Sequence, residues 1–171
     1  MACAIVSGYA LDCKDTVGGI KNIYITELAN ITTVTQNASG YVTAITKGAG
    51  TKFFKYALQP RGKNSLEQNI DANPQNGTVA YTQTVAVDFV KLQYATQVKL
   101  GLITKNRTSV IVETMDGSYF LCGLSNGMEV SGGKAGTGAA MNDFQGYSLT
   151  LTGMEKELAN EIDPSIIAAL L

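Results

Sequence analysis

The stretch Ser131-Gly132-Gly133-Lys134-Ala135-Gly136-Thr137-Gly138 comes nearest to a nucleotide-binding motif in this 171-residue chain. A phosphate-binding loop needs Gly, four residues, then Gly-Lys-Ser/Thr, so that backbone N–H groups cradle phosphates and a hydroxyl meets magnesium. Here Met128 stands at the first Gly position and Ala135 replaces the hydroxyl. The dinucleotide pattern Gly-x-Gly-x-x-Gly fails too, because Gly136 and Gly138 are followed by Met141. The stretch reads as flexible loop. Asp12, Asp15 and the C-terminal acids Glu155, Glu157, Glu161 and Asp163 offer carboxylates, but neither group has calcium-loop spacing. They read as solvated charge. Neighbouring residues mark out no Ser–Lys or Thr nucleophile. The chain has no histidine, which removes the commonest general base, zinc ligand and pH switch. No catalytic, metal or cofactor site is expected.

Three cysteines, Cys3, Cys13 and Cys122, make an odd set without Cys-x-x-Cys spacing. Cys122 follows Tyr119-Phe120-Leu121 and reads as a small buried hydrophobe; Cys3 and Cys13 could pair across the N-terminal segment. Lys52-Phe53-Phe54-Lys55-Tyr56 interleaves bases and aromatics, as a single-strand stacking platform does. The competing reading is a half-buried strand with Lys on its exposed edge. Thirteen Lys+Arg against 14 Asp+Glu, for a net charge of -1, argue against a basic nucleic-acid clamp. With 45% hydrophobic residues but only 16% charged, the chain is too apolar for disorder. Its polar surface is instead Thr, Asn, Gln and Ser. The first residues lack a basic region and a sustained apolar run, so no signal peptide is expected. No stretch approaches the roughly 18 apolar residues that span a bilayer.

The elements that would position these residues have a period of two. Lys21–Glu27 and Tyr41–Thr46 are strand-like runs on either side of the turn signal Asn37–Gly40. Thr51–Gln59 carries Phe54, Tyr56 and Leu58 on one face, Pro60-Arg61-Gly62 interrupts it, and Ser65–Asp71 could resume it. After the turn Asn73–Gly77, the run Thr78–Leu92 places Val79, Tyr81, Val85, Val87 and Phe89 on one face. Gln83 is the only polar interruption there, and Thr78, Thr82, Thr84 and Asp88 take the other face. As one strand this run would reach roughly 50 Å, further than a domain of this size is wide, so part would project. Tyr94–Lys105 is read as a helix with Ala95, Val98 and Leu102 on one face, although alternation also fits. Ser109–Thr114 and Ser118–Leu124 form a hairpin, with Asp116-Gly117 read as a two-residue type I′ turn. Gly127–Met141 reads as loop, and Gly146–Thr152 alternates with Tyr147, Leu149 and Leu151 inward. The apolar terminus Ile166–Leu171 must find cover, on its own domain or on a neighbour.

This order resembles the tail tube proteins of long-tailed bacteriophages, β-sandwiches with a flanking helix, a long protruding hairpin and terminal arms. The residues carrying it are Thr51–Asp71 with Gly77–Leu92, then Tyr94–Lys105, then the closing loop and strand Thr137–Glu155. The opening, Met1-Ala2-Cys3 through Asp12-Cys13 to Val17–Lys21, is similar to the start of small virion proteins of that group. The resemblance implies one mainly β domain over residues 1–171, a sandwich or partial barrel. Its parts would be an N-terminal arm at 1–20, a long hairpin at 51–92, a helix at 93–106, a Gly-rich loop at 127–142 and a C-terminal arm at 154–171.

It also implies a virion structural protein, made and assembled in the host cytoplasm. Six copies would form a ring, and rings would stack into a tube that holds the tape measure protein and later passes double-stranded DNA. Tail terminator and baseplate proteins would be further partners. Phe53, Phe54, Tyr56, Val79, Tyr81, Val85, Val87, Ile166, Ile167 and Leu170 would then serve contacts between copies, and Thr78, Thr82 and Thr84 would face the lumen. A near-neutral Thr-rich wall suits a conduit, since each phosphate–Lys contact would slow passage. Two other readings stay open: another ring-forming tail, terminator, baseplate or injection-tube component, and a ligand- or carbohydrate-binding β-sandwich module.

Overall fold

A computed structural model describes residues 8–9, 16–60 and 63–171. Cys3 and Cys13, with most of the expected arm at 1–20, lie outside those residues. The chain runs β1 (Ile20–Glu27), a short 3-10 turn, β2 (Ile31–Gln36), β3 (Val42–Lys47), β4 (Phe54–Ala57), β5 (Ser65–Asn73) and β6 (Thr78–Val90). It continues through α1 (Tyr94–Ile103), β7 (Thr108–Thr114), β8 (Tyr119–Cys122), β9 (Glu129–Gly136), β10 (Gly146–Glu155), β11 (Asn160–Glu161) and α2 (Pro164–Leu170). The protein is mainly β, in several antiparallel sheets.

Sheet one has the order β11-β8-β7-β1-β4, sheet two the order β5-β6-β10-β9, and β2-β3 is a separate hairpin. Alternation along β1 and β7 divides the interior. Ile23, Ile25, Val110 and Val112 point to sheet two, where Val85, Val87, Leu149 and Leu151 complete the main core. Tyr24 and Ile111 point the other way, into a second core with Val42, Phe53, Ile162, Ile167 and Leu170. Sheet one is therefore covered on both faces, by sheet two and by a layer made of β2-β3 and α2. That explains why β7 is buried through Glu113 despite its polar ends.

Several expectations are corrected. Phe54–Ala57 does not belong to the long hairpin; it pairs with β1, Tyr56 opposite Ile23 and Phe54 opposite Ile25. The hairpin is β5-β6 alone, Ser65–Asn73 against Thr78–Ala86. Strands β4 and β5 thus belong to different sheets and are not two parts of one strand. The expected loop at 127–142 contains β9, which pairs with β10 from Glu129 to Gly136. Gly133 suits that place: a Cβ there would stand 2.8 Å from the Ser148 carbonyl oxygen.

The helix forms, but it buries Leu100 and Ile103, leaving Ala95, Val98 and Leu102 in solvent. In the β7–β8 hairpin, the Thr114 N–H donates to Ser118 O at 2.9 Å, so three residues make the turn. Gly117 has φ 91° and Asp116 is not left-handed, which excludes type I′. The expected C-terminal arm is tied into the body. Asp163 caps α2 by accepting from the Ser165 N–H at 2.9 Å, with Pro164 in the first turn. At its other end, Leu170 O accepts from Lys47 Nζ at 2.7 Å and from the Phe53 N–H at 2.9 Å.

Candidate functional site

The β5-β6 hairpin and the sheet it extends form the part of the molecule least used by its own core. Asn73 Oδ1 closes the tip, accepting from the N–H groups of Gln75 at 3.1 Å and Asn76 at 3.2 Å. This Asx geometry lets Asn73-Pro74-Gln75-Asn76-Gly77 reverse the chain without apolar support. Register places Leu66, Gln68, Ile70 and Ala72 beside Val85, Gln83, Tyr81 and Val79 on the inner face.

The glutamines mark where the core stops. Gln83 is buried, accepts from the Gly123 N–H at 2.9 Å and donates to Glu157 O at 3.2 Å. Gln68 Oε1 accepts from the Ala159 N–H at 2.6 Å. The segment 157–159 thus crosses the inner face at this level and floors the sandwich. Toward the tip, Ile70 is 60% exposed and Val79 53% exposed, with Tyr81 half-buried between. An isolated polar residue in an apolar alternation was the sequence signal for this floor. The outer face of sheet two is polar and uncovered. Thr78 is exposed, and Thr82, Thr84, Thr150 and Thr152 are half-exposed. Thr82 donates to Asp71 at 2.7 Å, and Ser131 and Thr152 share a hydrogen bond at 2.8 Å.

Against this geometry, the ten residues expected at contacts between copies separate into two groups. Phe53, Val85, Val87, Ile167 and Leu170 are buried in the chain's own cores, which corrects their assignment. Alternation identified apolar faces without saying which are covered internally. Tyr56 is half-buried with its ring edge-on to Phe89 at 5.8 Å, and burial pushes its hydroxyl pKa up. Ile166 packs partly against the second core. Phe54 and Val79 remain exposed, Phe54 beneath the Lys52 ammonium at 5.5 Å. Phe54 also borders a groove of about 630 Å³ between edge strand β4 and α1, lined by Tyr56, Phe89, Val90, Leu102 and Ile103.

The groups that could have carried chemistry are committed elsewhere. Ser131–Gly136 of the Gly-rich candidate lies in β9 and is paired with β10, so these residues form a strand and not a phosphate-binding loop. Cys122 is wholly buried, which pushes its thiol pKa up to about 12 and makes it inert. One cluster was not anticipated: Glu113 Oε2 accepts from Asn22 at 2.6 Å and Tyr24 OH at 2.7 Å, while Lys21 meets Oε1 at 2.9 Å. A bulge between Ile20 and Asn22 brings Lys21 round to it. Burial works against the Glu113 charge, but the hydrogen bonds from Tyr24, Asn22 and Lys21 prevail and lower its pKa. Both carboxylate oxygens have partners, so the cluster acts as an internal brace.

No helix among the described residues is long and apolar enough to cross a membrane. No protein-family model and no curated protein matches the chain.

Proposed function

We propose that the chain is the subunit of a ring-forming virion tube, of the kind built by tail tube proteins of long-tailed phages. The observation that carries this reading is sheet two: polar and open on one face, unpaired at both β5 and β9 among the described residues, and prolonged by a hairpin with a bare apolar tip. A sheet with two free edges is an aggregation liability in a monomer, and closure into a ring removes it. Copies joined edge to edge would turn the Thr78, Thr82 and Thr84 face toward a lumen and keep the apolar face against sheet one.

Six copies per ring, stacking of rings, a tape measure protein inside and terminator and baseplate proteins at the ends belong to the same proposal. So do passage of double-stranded DNA without specific binding, a non-enzymatic role and a place in the virion. By register the charges that the strands of sheet two place on the outer face are Glu67, Asp71, Asp88, Glu129 and Lys134, with a single cation among them, which suits a wall that phosphates slide past. The same geometry would serve another ring-forming tail component. The groove beside β4, with Phe54, Tyr56 and Phe89, is what favours a ligand-binding sandwich instead.

Light scattering coupled to size exclusion, over a concentration and salt series, separates these classes. A ring subunit gives discrete multiples of 18.1 kDa that grow with concentration. A chain that stays monomeric throughout contradicts the proposal.

A further inference from the structure

We propose that the groove between β4 and α1 receives the hairpin tip of a second copy of this chain, in a head-to-tail contact. This rests on the reading that copies assemble, and adds which surfaces meet. Among the described residues, two of the bare apolar regions matter here. One is the tip, with Ile70 at 60% and Val79 at 53% exposed; the other is the groove rim, with Phe54 at 55% and Leu102 at 59%. Singly exposed apolar residues are ordinary, but here each patch is contiguous, one convex and one concave.

They cannot satisfy each other within one molecule. Val79 and Val90 lie near opposite ends of the continuous strand β6, eleven residues apart, which is roughly 37 Å at the rise of an antiparallel strand. Val90 lines the groove. A hairpin tip seated in this groove must therefore come from another copy, displaced along the strand direction.

Charge supports this pairing. On the hairpin, Ser65–Asn73 with Thr78–Ala86, the only charged residues are Glu67 and Asp71, both carboxylates. The groove is lined by Lys99, and the Lys52 ammonium lies over Phe54 at its rim. Its one carboxylate, Glu27, already accepts from Asn106 at 3.1 Å. An acidic apolar ribbon approaching a basic apolar groove is attracted before it docks. A contact joining two different patches repeats from copy to copy, so it builds rings or filaments rather than closed pairs.

Disulfide trapping tests the contact. Cys3→Ser and Cys13→Ser leave buried Cys122 as the only native thiol, in the otherwise full chain. Into this background go Val79→Cys, or Ile70→Cys as the second tip probe, and separately Leu102→Cys; all three sites are exposed, so the core is untouched. Mild oxidation of a tip variant mixed with Leu102→Cys is expected to give a covalent dimer that neither gives alone. The Val79→Cys/Leu102→Cys double variant should give a ladder. If rings or tubes form in the microscope but the mixture stays uncrosslinked, the groove assignment is overturned while assembly stands. Tip-to-tip dimers alone would overturn it also. Monomers without crosslinks at every concentration would overturn both.

Discussion

The two main sheets put similar alternating sequences to opposite uses. Sheet one is apolar on both faces and filled on both, so β7 is buried through Glu113 and even its carboxylate is braced by Asn22, Tyr24 and Lys21. Sheet two is apolar on one face only, and its Thr-rich face meets solvent. Sheet one has spent its surfaces on folding except at edge strand β4, where Phe54 stays exposed. The other keeps a polar face, a hairpin tip and, among the described residues, two free edges, which are the features the proposed assembly would use. The difference teaches that apolar residues identify function here only where the chain leaves them uncovered.

The comparison breaks first where the sheets' backbones are tightest. A Cβ at Gly146 would fall against the Phe89 carbonyl oxygen and the Phe144 ring. Gly146→Val is expected to open the β6–β10 ladder and cost about 3 kcal/mol, read as a lower urea midpoint.

Removing the brace of sheet one comes next. Glu113→Ala leaves Tyr24 and Asn22 buried without their acceptor and should cost about 2–3 kcal/mol at neutral pH, with Glu113→Gln milder. Because the folded pKa of Glu113 lies below its usual 4.5, its contribution is full above that value and is lost as pH falls through the folded pKa. Urea midpoints measured between neutral and acid pH should therefore drop more steeply for the parent than for Glu113→Gln. Asp163→Ala removes the cap of α2 and is expected to cost about 1 kcal/mol by the same measurement. Last in effect on folding is Val79→Asp, within about 0.5 kcal/mol of the parent because the side chain is exposed. Light scattering should nevertheless show that this variant no longer assembles. Loss of stability there would mean that the tip belongs to the core after all.

Much of this was legible in the sequence. Alternation located β1, β3, β6, β7, β8 and β10, and the Lys- and Leu-bearing run after Leu92 gave α1. Cys122 in its apolar run was rightly read as buried. What alternation could not do was say which strands pair, so Phe54–Ala57 was joined to the hairpin when β1 holds it. Gly132, Gly133 and Gly136 disfavour a strand by propensity and so hide β9 in the sequence, although only Gly133 is required, where the Ser148 carbonyl approaches. Asp163-Pro164 is a helix-start signal inside the stretch expected to be an arm. Of the contact candidates, Val79 and Phe54 are exposed, whereas Val85 and Val87 on the same alternation as Val79 are core. Exposure is set by the floor at Gln83 and Gln68, which depends on a segment 74 and 91 residues away from them in sequence.

Negative-stain electron microscopy of the purified full chain at high concentration, across several salt conditions, tests the central claim most directly. The account predicts rings with a central opening, or tubes made of stacked rings, for the parent chain and neither for Val79→Asp. A field of separate particles without openings in every condition would contradict it.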